Sequence, residues 1–180
     1  MIGQALEALG NWLIRADVGL EVVALVGLSM SLSHLFALVA NRLTLRQIIS
    51  QLVLDALVLA VALLLACLIC MLLLAARTGA AFDSVALLDR LGAALVPGLF
   101  YVLVAAPYIS DLIAIPIWVL IHLNVVTLLH ARFALAYGEA LLVATPGFAV
   151  ALLLVMAIFH QGWQGAYRRL ASAMEEVSSP

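Results

Sequence analysis

The chain has 180 residues, of which 67% are hydrophobic and only 10% are charged. Soluble domains run nearer about half apolar and about a quarter charged, so an ordinary water-soluble globule is excluded, and the length suits about five membrane spans of roughly 20 residues. Eight Arg, no Lys and ten acids leave a formal net charge of −2, which excludes a basic nucleic-acid surface and a clustered polybasic lipid anchor.

Residues 1–17 make a short N-terminal segment without the basic region, short apolar core and small-residue cleavage site of a signal peptide. The first predicted span covers residues 18–40, VGLEVVALVGLSMSLSHLFALVA, and stops at Asn41-Arg42. The second covers 48–76 and ends at Arg77. It exceeds what a bilayer requires, so its first turns lie among the headgroups or the helix tilts. Cys67 and Cys70 share one face of it, with no ligand partners around them, and read as small apolar core residues.

From Ser84, the residues Val85, Leu87, Leu88, Leu91 and Leu95 fall largely on one helical face, with Asp89 and Arg90 opposite. That spacing predicts an amphipathic helix entering obliquely through the interface. It leads into a third span, 92–107, kinked at Pro97. Pro107-Tyr108-Ile109-Ser110 predicts a tight turn, so the third and fourth spans form an antiparallel hairpin. The fourth span covers 111–130, capped by Asp111, with Pro116 about one turn in. The fifth covers 138–159 and bends at Pro146-Gly147. Residues 161–180 are an interfacial tail bearing Trp163, Tyr167, Arg168 and Arg169, frayed at its polar end. The expected architecture is therefore an all-α polytopic bundle of about five transmembrane helices over 18–160, with an interfacial helix before span three. Four arginines fall on each side of a five-span layout, so charge does not orient it.

Residues 79 to 146 carry a looser set of features. GAAFDSVALLDRLGAALVP offers small residues, an amphipathic helix and a proline before span three; PYISDLI is a Pro-Tyr turn. Trp118 in IWVL, the run to LLHARFAL, and EALLVATP leading to a proline in the last span complete them. Together they resemble the membrane region of the Yip family, the Rab-GTPase-interacting membrane proteins and their bacterial relatives. The resemblance implies a five-span domain that organises membranes and no catalytic residues. The segment ahead of the first span is shorter than the cytosolic domain of eukaryotic members, so GTPase binding does not carry over with it.

Polar residues inside apolar spans are the candidate functional groups, because a charge at mid-helix costs roughly 2.5–3.5 kcal/mol on insertion scales. Asp55 lies about two turns into the second span, surrounded by aliphatics. It reads as a protonatable group in an ion path, or as a carboxyl hydrogen-bonded to a neighbouring helix. Asn124, Thr127 and His130 step by three along one stripe of the fourth span, and His122 lies on another face near Trp118. Lipid offers these groups no partner, so all should point into the bundle. His34 or His122 could ligate a pigment axially, although no histidine pair is level for a haem except His34 with the terminal His160. His130, Arg132 and Glu139 bracket the connection between spans four and five, as a docking cluster or a solvated rim.

No phosphate loop, metal-spaced His and Glu pair or nucleophile elbow is present. The leading expectation is a non-catalytic scaffold, assembly factor or accessory subunit in a bacterial inner or internal membrane. It requires no cofactor, and its partners are the lipid bilayer and other membrane proteins met through lateral helix contacts; homo-oligomerisation stays open. The first alternative is a small-solute or proton-coupled transporter or channel component using Asp55 and His122. A pigment-binding subunit is the second.

Overall fold

The computed structural model describes the backbone of residues 2–79, 81–105 and 110–178, and the side chains of that set other than 2, 40, 111 and 159–178. All regular structure among the described residues is helical. Seven α-helices follow in order: α1 Ile2–Arg15, α2 Gly19–Leu32, α3 Leu35–Ala40, α4 Leu45–Thr78, α5 Ser84–Ala93, α6 Ser110–Phe133 and α7 Tyr137–Ser178. A 3-10 helix, Val96–Ala105, lies between α5 and α6.

Among the described residues four stretches are long and apolar enough to cross a membrane: Leu45–Thr78, Ser84–Ala105, Leu112–Phe133 and Tyr137–Ile158. The expected first span differs from these. Its helix α2 has 14 residues, and the continuation α3 has six. Between them Ser33 and His34 keep right-handed helical angles but bond three residues back, to Met30 and Ser31, so the path tightens without reversing. Ser33 Oγ also donates to its Met30 carbonyl at 2.6 Å, and such local side-chain bonding loosens a regular helix.

The helices close into a ring. α2 packs between α4 and the α5/3-10 stretch, α6 between the 3-10 helix and α7, and α7 between α6 and α4. α2 is thus a full fifth member of the bundle despite its length. The core runs through the centre of the ring, from Leu13 and Val26 through Leu59, Leu63 and Leu74 to Leu91, Leu128 and Val155. Close helix approach depends on missing side chains along α4. A Cβ on Gly27 of α2 would meet the Ala56 carbonyl at 2.7 Å, and one on Gly147 of α7 the Ala66 carbonyl at 2.5 Å. Small residues at such crossings are the usual device of membrane bundles.

Helix ends follow local chemistry. Thr44 and Gln47 form a reciprocal capping box at the start of α4, and Gly79, in the left-handed region at φ 60°, stops it. At 34 residues, or about 50 Å, α4 is longer than the expected 48–76 and than a hydrocarbon core of about 30 Å. Among the described residues two non-glycines also take left-handed angles, Arg42 at φ 55° between α3 and α4 and Ala134 at φ 51° between α6 and α7.

Four expectations need correction or extension. The amphipathic helix at Ser84 forms as α5, with Leu87 and Leu91 buried in the bundle, and it is continuous with the apolar stretch of span three. Span three is 3-10 beyond Val96, where a kinked α-helix was expected. Residues 1–17 are not merely a short lead-in: α1 is amphipathic and lays Gly10 and Leu13 against α6 and the core. The tail is helical through Ser178, continuous with α7, where fraying was expected. The Pro107-Tyr108-Ile109 turn lies outside the described residues, as do the side chains of His160, Trp163, Tyr167, Arg168 and Arg169.

Candidate functional site

The intramembrane polar groups divide into three clusters. The first surrounds the turn between α2 and α3. Asp55 Oδ2 lies 3.4 Å from His34 Nδ1, and Asp55 Oδ1 accepts from Gln51 Nε2 at 2.8 Å. Both acid and imidazole side chains are mostly buried, at 14% and 17% exposure. Gln51 sits one turn before Asp55, where an i, i+4 pair shares a face. Asp55 therefore bridges α4 to the break in the first span, and His34, expected on its own, is its partner. One turn away Ser31 Oγ donates to the Leu52 carbonyl at 2.7 Å.

The second cluster surrounds the 3-10 helix. Asn124 Nδ2 donates to the Ala94 carbonyl at 3.0 Å, a fully buried contact. Ser29 Oγ donates to the Leu99 carbonyl at 2.8 Å and accepts from Val102 N–H at 3.0 Å. Ser29 and Ser31 carried no signal in the sequence beyond being hydroxyls in an apolar helix. In lipid, that alone requires a backbone partner somewhere.

His122 and Thr127 belong to neither. The imidazole of His122 stacks, tilted by 35°, on Phe148 with centroids 4.4 Å apart, and its Nε2 lies 3.4 Å from Thr145 Oγ1. Thr145 donates its hydroxyl proton to Leu141 O at 2.7 Å. His122 Nδ1 and Thr127 Oγ1 are buried and have no hydrogen-bond partner among the described residues. Trp118 joins the same aromatic row, edge-on to Phe148 at 5.7 Å and to Tyr101 at 6.2 Å. Cys67 and Cys70 are buried free thiols beside it, lining a small apolar cavity of about 30 Å³. Asp55 and His122 share no hydrogen-bond partner.

The third cluster lies at the end of the bundle where α6 gives way to α7. The expected grouping of His130, Arg132 and Glu139 is not assembled there as a single network. His130 Nδ1–H donates to the Leu135 carbonyl at 2.7 Å and its ring stacks on Tyr137 at 3.9 Å, which closes the turn through Ala134. Glu139 instead meets Arg77 at the end of α4, at 3.4 Å and largely exposed. Arg132 is exposed.

The strongest polar contacts at this end were not legible from sequence. Asp89 Oδ1 accepts from Gly19 N–H at 2.7 Å and Leu20 N–H at 3.2 Å, which caps α2 from across the bundle. Its neighbour Arg90 donates Nε–H to the Ile14 carbonyl at 2.7 Å, near the end of α1. Two adjacent side chains thus hold both sides of the α1–α2 connection, and each charge opposes the helix dipole end it touches. The approach is tight: a Cβ on Gly19 would fall on the Asp89 carbonyl, and one on Gly92 on the Gly19 carbonyl. The signal available beforehand was negative. Val18, at the N-cap of α2, has no side chain able to cap it.

No cluster of three or more His, Cys, Asp or Glu residues able to hold a metal ion occurs among the described residues. Comparison with known protein families, with characterised proteins and with solved structures gives no match. What the arrangement does chemically is hold helices together. Asn124, Ser29, Ser31 and Asp89 each satisfy backbone groups of another element, and Asp55 joins two helices through His34.

Proposed function

We propose that this chain is a non-catalytic integral membrane protein that acts through lateral helix contacts, as a scaffold, assembly factor or accessory subunit of a membrane complex. The observation that carries the reading is where its intramembrane polar groups are spent. Asn124, Ser29 and Ser31 bond backbone carbonyls of neighbouring elements, and Asp55 bonds His34 and Gln51. Such contacts fix helix register and leave the apolar outer faces for lipid or partner helices. The resemblance of residues 79–146 to the Yip family supports a role in membrane organisation, and the lysine-free, Leu- and Ala-rich composition supports a bacterial cytoplasmic membrane.

Purification from native membranes in mild detergent, with an absorption spectrum and identification of co-purifying proteins, tests the proposal. Colourless material with stoichiometric membrane partners is the expected result. A colourless preparation without partners sinks it, and a visible chromophore replaces it with pigment binding. One observation favours a second reading: the His34–Asp55 pair is an acid–base couple inside apolar spans, a common mark of a proton path. Asp55→Asn separates the two. It abolishes proton-coupled flux in a transporter and leaves a scaffold's partners in place.

A further inference from the structure

A groove of about 440 Å³ opens between α1, the 3-10 helix and α6, with Phe100 and Leu120 exposed at its rim. Val96, Pro97 and Phe100 form one wall and Ile113, Pro116 and Leu120 the other. The stretch Leu112–Phe133 has its middle at His122-Leu123, and Ser84–Ala105 at Ala94-Leu95. Asn124 and Val96 therefore line the groove at mid-membrane, while Ile113, about 16 Å along α6 from Asn124, lies at one boundary. That length is about half of a hydrocarbon core of about 30 Å. α1 crosses α6 one turn from Asn124, where Gly10 seats against Thr127, so Leu9 and Trp12 close the mid-membrane end.

One polar side chain reaches this apolar groove. Asn124 is 7% exposed, and its carboxamide has two N–H groups and an oxygen. Among the described residues it makes one hydrogen bond, an N–H to the Ala94 carbonyl, which leaves the second N–H and the oxygen over. Lipid tails offer such groups nothing, so a ligand that meets them gains what hydrocarbon withholds. Depth selects among candidates. The ester carbonyls of a phospholipid stay near the headgroups, about 15 Å from mid-membrane. A partner helix spends its backbone carbonyls on itself. A neutral lipid with its carbonyl on a flat ring reaches this depth, and two aromatic side chains, Trp12 and Phe100, stand on separate walls there.

We propose that this groove is a binding site for an isoprenoid quinone. The second N–H of Asn124 donates to a ring carbonyl, Trp12 and Phe100 take the ring faces, and the tail runs along Leu120 and Pro116 to Ile113. A mostly apolar pocket with one placed polar group is the usual form of a small-molecule site. The site rests on the groove and Asn124, and it is independent of whether the chain is a scaffold or a transporter component.

Trp12 supplies the readout, because quinones quench tryptophan emission on contact. The full chain has three tryptophans, and Trp118→Phe with Trp163→Phe leaves Trp12 as the emitter. In dioleoylphosphatidylcholine vesicles, decylubiquinone should quench Trp12 saturably, at one quinone per chain. Asn124→Leu should weaken the apparent affinity about three- to tenfold, the loss of one hydrogen bond. Leu142→Phe, on the outer face of α7, should leave it unchanged. If Asn124→Leu does not fold, Leu120→Phe narrows the groove without touching the Asn124–Ala94 bond and should weaken binding as well. Quenching that rises linearly with quinone, as bulk collision does, overturns the proposal in the parent protein alone. So does an affinity that neither groove variant changes. Phospholipid with brominated chains gives the remaining arm: quenching of Trp12 that decylubiquinone relieves supports the site. Bromine quenching that quinone leaves untouched assigns the groove to acyl chains, and a Trp12 shielded from both quenchers assigns it to a protein partner; either result overturns the proposal.

Discussion

Asp89 and Asp55 are both carboxylates facing other helices, yet only one could be picked out beforehand. Asp55 stands alone among aliphatics, so its cost in lipid marks it as needing a partner, and His34 supplies one. Asp89 sits beside Arg90 on the polar face of an amphipathic helix, where a charge needs no explanation. Its role depends on Gly19, 70 residues away, which no local pattern reveals. The same distinction covers Asn124, which was legible as a polar group requiring a bond, although the Ala94 carbonyl as its target was not. For Asp89 the consequence is measurable. Asp89→Ala removes the acceptor for two amide groups at the start of α2 and should lower stability by about 1 kcal/mol, the usual loss for a helix cap. Asp89→Asn keeps an acceptor oxygen and should lose only a few tenths of that. Unfolding midpoints of the three proteins in one detergent decide it, and equal losses for Ala and Asn show that charge rather than capping is at work.

At the scale of elements, hydropathy located α4, α6 and the first half of α7 because each has an apolar run long enough to span. It could not see the turn at Ser33-His34, because these two residues barely shift the window average of a 23-residue apolar segment. Pro97 correctly marked a break, but whether a proline kinks an α-helix or starts a 3-10 helix depends on what receives the freed carbonyls. For the Ala94 carbonyl, to which a residue 97 with an N–H could have donated in a 3-10 helix, the donor is Asn124, on another helix. Packing between elements rests on the glycines. In α2 an added Cβ at Gly27 would meet backbone atoms of α4, the Ala56 carbonyl at 2.7 Å and the Ala60 amide nitrogen at 3.1 Å. Backbone cannot swing aside, so Gly27→Ala must part the two helices and strain the nearby Ser31–Leu52 bond. Overpacking of this kind costs typically about 1–3 kcal/mol. Gly3→Ala, at a helical position with nothing within 4 Å, is the control and should be neutral or slightly stabilising. Thermal melts of both variants check the contrast, and a Gly27→Ala protein as stable as the control would mean that α2 and α4 are not in contact as described.

For the molecule as a whole, the all-α bundle followed from composition, but the closed order of its helices did not. Apolar residues surround these helices on nearly every side, and only the glycine and serine contacts distinguish inward from outward. The lipid-facing rows are clear once the ring is closed: Leu57 and Leu72 on α4 are 62% and 69% exposed, and Leu142 and Leu153 on α7 are 72% and 66% exposed. These rows are candidate surfaces for lateral contact, whereas the fold depends on neither. Leu57→Trp with Leu72→Trp on α4, and Leu142→Trp with Leu153→Trp on α7, should therefore each leave stability within about 0.5 kcal/mol of the parent, as surface changes generally do. Added bulk on the row that meets a partner should remove that partner from the purified complex, while the other pair retains it. Membranes from cells carrying each pair, solubilised under identical conditions, give the comparison directly. Retention by both pairs means that neither row is the contact surface and turns attention to the groove between α1, the 3-10 helix and α6. Loss by both, with intact melting, means a partner that spans α4 and α7 together across the face where Gly147 seats on Ala66.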